Sequence, residues 1–208
     1  MTTTGNSRVY GGVDATARES ARRRAFLDAG LQRLGTGQGS LTVRGVCSEA
    51  GLVARYFYES FSDGDDLVVA VYDEVIEGVV LAALAALSEA PADEREQVRA
   101  ALGAVVTFIA DDPRKGRLLF DTAVRHPALT RKRLESIRLF SAQLAQRTRD
   151  FYGIESSVEL ETVSRFLVGG FGETLIAWQH GDLDLSQDAL VEQCTQLFQA
   201  SAAPLLGR

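Results

Sequence analysis

Histidine and cysteine are scarce in this sequence, with two of each among 208 residues. His126 precedes Pro127 and His180 precedes Gly181, at predicted helix boundaries where a histidine ordinarily caps a helix or meets its negative end. The patterns Gly-x-Ser-x-Gly, His-Glu-x-x-His and Cys-x-x-Cys, which mark hydrolase nucleophiles, zinc sites and redox sites, are also missing. We therefore expect no enzymatic activity, no metal ion and no cofactor.

Long apolar runs are missing as well. The longest candidate, 67–87, is interrupted by carboxylates between Asp73 and Glu77, so it falls short of the roughly 18 apolar residues that a transmembrane helix needs. No apolar segment with a basic start opens the chain, which argues against a secretion signal. Cys47 and Cys194 lie far apart on apolar helical stripes, as is typical of reduced thiols in a protein core. These observations favour a cytoplasmic protein.

Two short helices are predicted between Thr42 and Leu67. In the first, apolar residues recur at positions i, i+3, i+4 and i+7, which places them on one face of a helix. These residues are Val43, Val46, Cys47 and Ala50. Gly51 follows and supplies the left-handed residue that ends a helix. The pattern predicts a helix over 43–50 that buries one face and turns Arg44 outward.

The second helix, predicted over 54–61, carries an aromatic pair. Phe57 and Phe61 stand one turn apart and can pack inward, which leaves polar and aromatic residues on the outer face. Those residues are Arg55, Tyr56, Tyr58 and Glu59. Arginine and tyrosine side chains in this arrangement suit contacts with DNA phosphates and base edges. The segment therefore has the pattern of a helix-turn-helix that binds DNA.

The segment Arg22 to Val75, RRRAFLDAGLQRLGTGQGSLTVRGVCSEAGLVARYFYESFSDGDDLVVAVYDEV, resembles the DNA-binding domain of the tetracycline-repressor (TetR) family of transcriptional regulators. The likeness lies in the spacing of four helices, near 15–34, 43–50, 54–61 and from Asp65 onward, and in the pair Tyr58 and Phe61. It implies that the third helix enters the major groove. The residues that we expect to contact DNA are Thr42, Arg44, Arg55, Tyr56 and Tyr58.

Four positions depart from the family pattern. Val53 and Ala54 stand where the family usually carries a capping Ser or Thr and a basic residue, and Gly64 replaces a lysine that commonly touches phosphate. Glu59 is acidic and would repel phosphate unless it accepts a hydrogen bond from a cytosine amino group. These departures leave a second hypothesis open, a helical ligand- or partner-binding protein whose DNA-binding head is degenerate.

Charge is unevenly distributed along the chain, whose formal net charge is −6. Residues 1–61 contain 8 basic and 5 acidic side chains, whereas residues 62–208 contain 14 basic and 23 acidic ones. The basic excess coincides with the predicted DNA-binding segment, and the acidic remainder would discourage non-specific adhesion to nucleic acid.

The chain is predicted to be all-α with about nine helices, because no stretch alternates with period two for long enough to require a strand. We expect a disordered arm over 1–13, a helix-turn-helix domain over 14–64 and a helical ligand-binding and dimerisation domain over 65–208. In that last domain, helices are predicted over 67–86, 89–110, 113–124, 127–152, 157–180 and 186–206.

The last two predicted helices carry apolar stripes that are wider than one neighbouring helix requires. Gly169, Gly170 and Gly172 would each lower helix propensity by about 1 kcal/mol unless they permit close packing. The family resemblance implies that these helices pair with their copies in a four-helix dimer interface. The residues that we expect in this interface are Phe166, Gly170, Phe171, Leu190, Leu197 and Phe198.

Bulky aromatic residues in the middle helices exceed the needs of simple helix pairing. Such residues ordinarily fill a core, but the resemblance favours a cavity that binds a small apolar or amphipathic effector. Its candidate lining residues are Phe108, Phe120, Thr122, His126, Phe140, Phe166, Glu173 and Trp178. A catalytic alternative would require His126 and Asp121 to face a cleft together with a serine or cysteine. The sequence thus predicts a homodimeric repressor whose partners are operator DNA and a small effector, with no membrane partner.

Overall fold

The structure of the chain, a computed structural model, describes residues 8–37, 41–121 and 123–202, with side chains from Ala15 onward. The described residues form helices and no strands, which confirms the predicted all-α fold. The nine helices in this part of the chain are α1 (Arg8–Gly35), α2 (Val43–Ala50), α3 (Ala54–Ser60), α4 (Gly64–Glu89), α5 (Glu94–Ala110), α6 (Pro113–Phe120), α7 (Pro127–Tyr152), α8 (Val158–His180) and α9 (Gln187–Ala202). Within the described ranges, no helix is both long enough and apolar enough to cross a membrane.

The chain divides into two compact units between Val71 and Tyr72, inside the continuous helix α4. We call them the N-terminal unit and the C-terminal unit. The sequence predicted the division after Gly64. The structure instead assigns the first two turns of α4 to the N-terminal unit. Close packing explains the difference, because a Cβ at Gly30 of α1 would lie 2.8 Å from Val71 Cγ2 and 3.4 Å from Leu67 Cδ2.

The first helix begins earlier than predicted. Residues 8–13, which were expected to belong to a disordered arm, form the start of α1. Residues 1–7 lie outside the described residues. The periodic apolar pattern begins only further along the chain, and it therefore marked the part of α1 that packs rather than the part that is helical.

Later helix ends are set by local caps. Helix α5 begins at Glu94 rather than near residue 89, because the Asp93 side chain accepts a hydrogen bond of 3.0 Å from the Glu96 N–H. Helix α6 ends at Phe120 rather than near residue 124, and Asp121 adopts an extended conformation. The expected end of α9 at residue 206 lies outside the described part, which reaches Ala202.

The core of the C-terminal unit lies between α5, α8 and α9. Its buried members are Leu102, Val106, Leu175, Leu190, Val191 and Cys194. Trp178 packs against this cluster, and its indole N–H donates to the Leu185 carbonyl over 2.8 Å. Burial raises the pKa of the Cys194 thiol, which keeps this side chain in its neutral form.

Candidate functional site: a helix-turn-helix surface and a cavity

The turn between α2 and α3 is fixed by caps that the sequence encodes. The Thr42 side-chain oxygen accepts a hydrogen bond of 3.1 Å from the Gly45 N–H at the start of α2. Gly51 ends that helix with a left-handed φ of 65°, and the Leu52 N–H donates to the Cys47 carbonyl over 3.0 Å. Val53 gives α3 no side-chain cap. The start of α3 therefore depends on packing rather than on a capping hydrogen bond.

Three phenyl rings supply that packing. Phe26 of α1 meets Phe57 of α3 edge to face with ring centroids 5.5 Å apart, and it meets Phe61 at 6.4 Å. All three side chains are buried. The sequence predicted the burial of Phe57 and Phe61 correctly, but it did not identify Phe26. The spacing i, i+4, i+8 of Phe26, Gly30 and Leu34 was the signal that identifies the packed face.

Two arginines of α1 bind residues of α3 and its C-cap. Arg23 Nη1 donates to the Ser60 carbonyl over 3.0 Å, and its guanidinium lies 4.4 Å from the centre of the Phe61 ring. Arg22 lies 4.5 Å from the centre of the Tyr56 ring. Both contacts are of the cation–π type. These two arginines therefore hold α3 in place.

Glu59 lies between two cations. Its carboxylate is 3.6 Å from Arg22 Nη2 and 3.2 Å from Arg55 Nε. The negative charge of Glu59, which was expected to repel phosphate, is therefore balanced by two neighbouring arginines of the same chain. Because both pairs are partly exposed, we assign them positioning roles rather than a large stabilising free energy.

The predicted DNA-contacting residues all lie on α2, on α3 or at the N-cap of α2. Four of them, Thr42, Arg44, Arg55 and Tyr58, are exposed, and Tyr58 keeps 61% of its surface. Tyr56 is half-buried beneath Arg22. The N-terminal unit thus presents hydroxyl, guanidinium and phenol groups on consecutive short helices, which are the groups that hydrogen-bond to phosphates and bases.

The C-terminal unit contains a large cavity with a volume of about 1250 Å³. Residues from α4 through α9 form its wall, and most of them are apolar. Four of the eight candidate lining residues contribute to this wall. They are Phe120, His126, Phe140 and Glu173.

Three other candidates do not line the cavity. Phe108 packs beneath the Lys115 ammonium group at 3.9 Å, and Trp178 joins the core next to Leu185. Phe166 is 76% exposed. Thr122 lies outside the described residues. The sequence identified Phe108, Phe166 and Trp178 as bulky aromatic residues, but it does not specify which of these rings border the cavity.

The lining residues outside the eight candidates lie mainly on α4 and α7. On α4 they form one continuous apolar face, whose members are Ile76, Val79, Val80, Ala83, Leu84 and Leu87. The signal for them was present, because α4 is apolar on more than one side and so has more apolar surface than one neighbouring helix can cover.

Polar groups at the cavity wall are already engaged. The phenol of the buried Tyr72 shares a hydrogen bond with Ser136. Burial raises the pKa of Tyr72 above its ordinary value, and this hydrogen bond offsets part of the rise. The Arg133 guanidinium donates to the carbonyls of Leu118 over 2.7 Å and Val124 over 3.3 Å, and its burial lowers the pKa of the guanidinium group. Arg133 therefore fixes the connection from α6 to α7.

The residues expected at a dimer interface separate into three groups. Phe166, Gly170 and Leu197 are exposed, with 62% of Leu197 accessible. Phe171 and Phe198 are half-buried, pack edge to face at 6.1 Å, and line the cavity.

Leu190 does not belong to such an interface, because it is 1% exposed and lies in the core of the C-terminal unit. An apolar stripe predicts that a helix face is covered, but not whether α5 of the same chain or a second copy covers it.

The catalytic alternative does not find its expected pair. The His126 ring nitrogen Nδ1 accepts a hydrogen bond from the Ala128 N–H and caps α7. Asp121 Oδ2 instead lies 3.7 Å from His180 Nε2. In the part of the chain that the structure describes, no cluster of three His, Cys, Asp or Glu residues is placed to hold a metal ion.

No protein-family model and no curated protein sequence matches this chain. Solved structures do match its fold. A TetR-family transcription regulator from Marinobacter aquaeolei is 19% identical over 89% of this chain and 97% of its own length, with a TM-score of 0.67. The fatty acid degradation regulator FadR from Bacillus halodurans is 17% identical, with coverages of 85% and 94% and a TM-score of 0.71. FadR from Bacillus subtilis, in complex with stearoyl-CoA, is 15% identical, with coverages of 86% and 98% and a TM-score of 0.66.

Proposed function

We propose that this chain, which has the fold of the TetR-family transcriptional regulators, is a homodimeric, sequence-specific DNA-binding regulator of the cytoplasm. It acts as a repressor, and a small amphipathic effector releases it from its operator. The observation that carries the proposal is the helix-turn-helix of the N-terminal unit, whose exposed Arg44, Arg55 and Tyr58 face solvent while Arg22 and Arg23 fix α3.

Each exposed residue receives a role from its chemistry. Arg44, Arg55 and Tyr56 are assigned to base edges, and Thr42 and Tyr58 are assigned to phosphates. The Thr42 oxygen accepts from the Gly45 N–H, so its hydroxyl hydrogen remains available to a phosphate oxygen.

Dimerisation follows from the small size of one helix-turn-helix, which contacts too few base pairs for tight specificity. Two copies would meet half-sites about one helical turn apart, roughly 34–36 Å. The exposed Phe166 of α8 and Leu197 of α9 support a dimer through these helices, because large apolar side chains at 76% and 62% exposure favour burial against a partner.

Control by an effector is supported by helix α4, which contributes to both units. Its residues Leu67 and Val71 pack near Gly30 in the N-terminal unit, while later residues line the cavity. The start of this later part is tied to α7 by the Tyr72–Ser136 hydrogen bond and by a 2.5 Å ion pair between Lys132 and Asp73. A ligand that displaces these contacts would tilt α4 and move the helix-turn-helix with it.

Selection of bound duplexes from a random oligonucleotide pool tests the DNA-binding function. The expected result is a palindrome with half-sites one helical turn apart. The double variant Arg44→Ala/Arg55→Ala should fail to enrich it, whereas the control Arg131→Ala/Arg138→Ala, which removes two exposed arginines of α7, should enrich it normally. An unenriched pool with the parent protein would exclude sequence-specific binding.

That negative result would favour the second hypothesis, a helical ligand- or partner-binding protein with a degenerate DNA-binding head. Two observations support this second hypothesis. Val53 leaves α3 without a side-chain cap, and Gly64 offers no cation at the start of α4. The cavity would then be the functional part of the chain.

A further inference from the structure

We propose that the cavity of the C-terminal unit binds a single-chain lipid with an anionic head group, either a fatty acid or its acyl thioester with an anionic carrier. The role of this lipid as an effector rests on the proposed function, but its binding concerns the cavity alone. Three properties of the cavity support this ligand class, namely its length, its lining and the position of its charges.

The cavity is larger and longer than a compact ligand requires. Its volume of about 1250 Å³ exceeds the roughly 300–1,000 Å³ of ordinary small-molecule sites. Lining residues on α7 extend from Pro127 to Asp150, a distance of about 34 Å at a rise of about 1.5 Å per residue. A long, flexible molecule fills such a space better than a compact one.

The walls that α4 and α7 contribute to the middle of the cavity are uncharged. Every lining residue of α4 is uncharged, and so is each lining residue of α7 from Leu134 to Gln146. This part of α7 spans about 18 Å, whereas an acyl chain occupies about 15 Å, half the hydrocarbon thickness of a bilayer. The apolar residues that would contact the chain are Val80, Ala83, Leu84, Ile137, Phe140 and Leu144. Along this length of α7, Ser136, Gln143 and Gln146 are the polar lining residues. A ligand rich in hydrogen-bonding groups would therefore leave most of those groups without partners.

The charges lie at the two ends of the α7 lining. At the C-terminal end, Arg147 and Asp150 lie one helical turn apart and offset each other. At the N-terminal end, Arg125 and Arg133 line the cavity, and no carboxylate between Arg125 and Arg133 belongs to the lining. Over the whole lining, three arginines oppose two carboxylates, Asp150 and Glu173.

Arg125 is the residue that we assign to the anionic head group. Arg133 already donates to main-chain carbonyls and keeps the connection between α6 and α7 in place. Arg125 is exposed, and within the described ranges no carboxylate forms an ion pair with it. An exposed arginine in the lining of an apolar cavity can bind a carboxylate or phosphate through paired hydrogen bonds.

Equilibrium dialysis of the full chain without DNA tests the ligand class. Palmitate and palmitoyl-CoA represent the two sources of an anionic acyl chain, while hexadecanol and hexadecyltrimethylammonium carry neutral and cationic head groups. We expect one molecule bound per chain, with the better anion at least about tenfold tighter than either control. Octanoate should bind more than about 100-fold more weakly than palmitate, because each buried methylene contributes to affinity.

Two variant pairs locate the ligand. Arg125→Ala should reduce palmitate affinity about tenfold and leave hexadecanol unchanged, whereas Arg131→Ala, which removes an exposed arginine outside the lining, should change neither. Ala83→Trp fills the cavity and should abolish binding, while Ala85→Trp lies two residues away on the exposed side of α4 and should retain it. Circular dichroism confirms that each variant is folded.

Equal affinity for the anionic, neutral and cationic ligands would overturn the assignment of an anionic head group. Equal affinity for octanoate and palmitate would overturn the assignment of a long acyl chain. Binding by a folded Ala83→Trp protein would place the lipid outside the cavity. None of these results depends on DNA, so they are independent of the duplex selection that tests the regulatory function. Palmitate tighter than palmitoyl-CoA identifies the free acid as the source, and the reverse order identifies the thioester.

Discussion

In the N-terminal unit the rings of Phe26, Phe57 and Phe61 fill the space between α1 and α3, whereas the C-terminal unit surrounds a cavity of about 1250 Å³. The difference matches the two tasks proposed for the units. A surface that reads base edges must hold its side chains in fixed positions, and a filled aromatic core provides that rigidity. A site for a flexible ligand needs open volume, which lowers the packing free energy of its walls.

The two regions also differ in charge. Residues 1–61 carry a basic excess, and residues 62–208 carry an acidic one. Part of the basic charge in the first region contacts other residues of the protein, since Arg22 and Arg23 contact residues of α3 and its C-cap. Positive charge in this region therefore helps to position α3.

Truncation of aromatic side chains tests the difference in packing between the two units most directly. Phe57→Ala should lower the free energy of unfolding by about 3–5 kcal/mol, because it empties a fully buried site. Phe140→Ala should cost only about 1 kcal/mol, since its half-buried ring already borders the cavity. Urea unfolding followed by circular dichroism measures both. Equal losses would mean that the cavity wall is packed as tightly as the aromatic core.

The next largest effect is expected at the exposed faces of α8 and α9. Phe166→Glu should weaken the proposed dimer by about 2–4 kcal/mol, the range of a central interface residue. Phe198→Glu is less informative because Phe198 packs against Phe171 within one chain. Leu139→Glu alters an exposed leucine of α7 and serves as the control. Light scattering should detect monomers of the Phe166 variant alone; a monomeric parent protein at micromolar concentration would contradict the dimer.

Truncating the proposed DNA contact at Arg44 should cost about 1–3 kcal/mol of specific binding without affecting the fold. Arg44 is exposed on α2, so its removal creates no cavity. Titration of the selected operator measures the loss, with Arg138→Ala of α7 as the control. Unchanged affinity of the Arg44 variant would remove this residue from the contact surface.

The smallest effect concerns Glu59. Glu59→Gln releases Arg22 and Arg55 from their partly exposed ion pairs and should cost less than about 1 kcal/mol of stability. Operator affinity should rise, and its dependence on salt should steepen by about one phosphate contact. Weaker binding would instead favour a hydrogen bond from a cytosine amino group to the Glu59 carboxylate.

The sequence predicted the elements whose determinants are local. Helix α2 has the predicted bounds, because its threonine cap, apolar face and terminal Gly51 lie within ten residues. The family resemblance also gave the fold correctly. Burial of Phe57 and Phe61 followed from their helical spacing alone.

Features that depend on distant contacts were predicted less well. Phe120 and Phe166 have similar aromatic character in the sequence, but Phe120 lines the cavity and Phe166 is exposed. The positions of Arg22 and Arg23 against α3 depend on the packing of α1, which helical periodicity does not specify. Leu190 was assigned to the dimer face for the same reason, since α5 covers it within the chain.

The proposed DNA-binding and lipid-binding functions require coupling through α4, which contributes to both units. The direct test is the affinity of the strongest lipid ligand measured with and without saturating operator DNA. We expect operator DNA to weaken lipid affinity by about 5–150-fold, and the lipid to weaken operator affinity by the same factor. Equal lipid affinity in the presence and absence of operator would contradict the coupling.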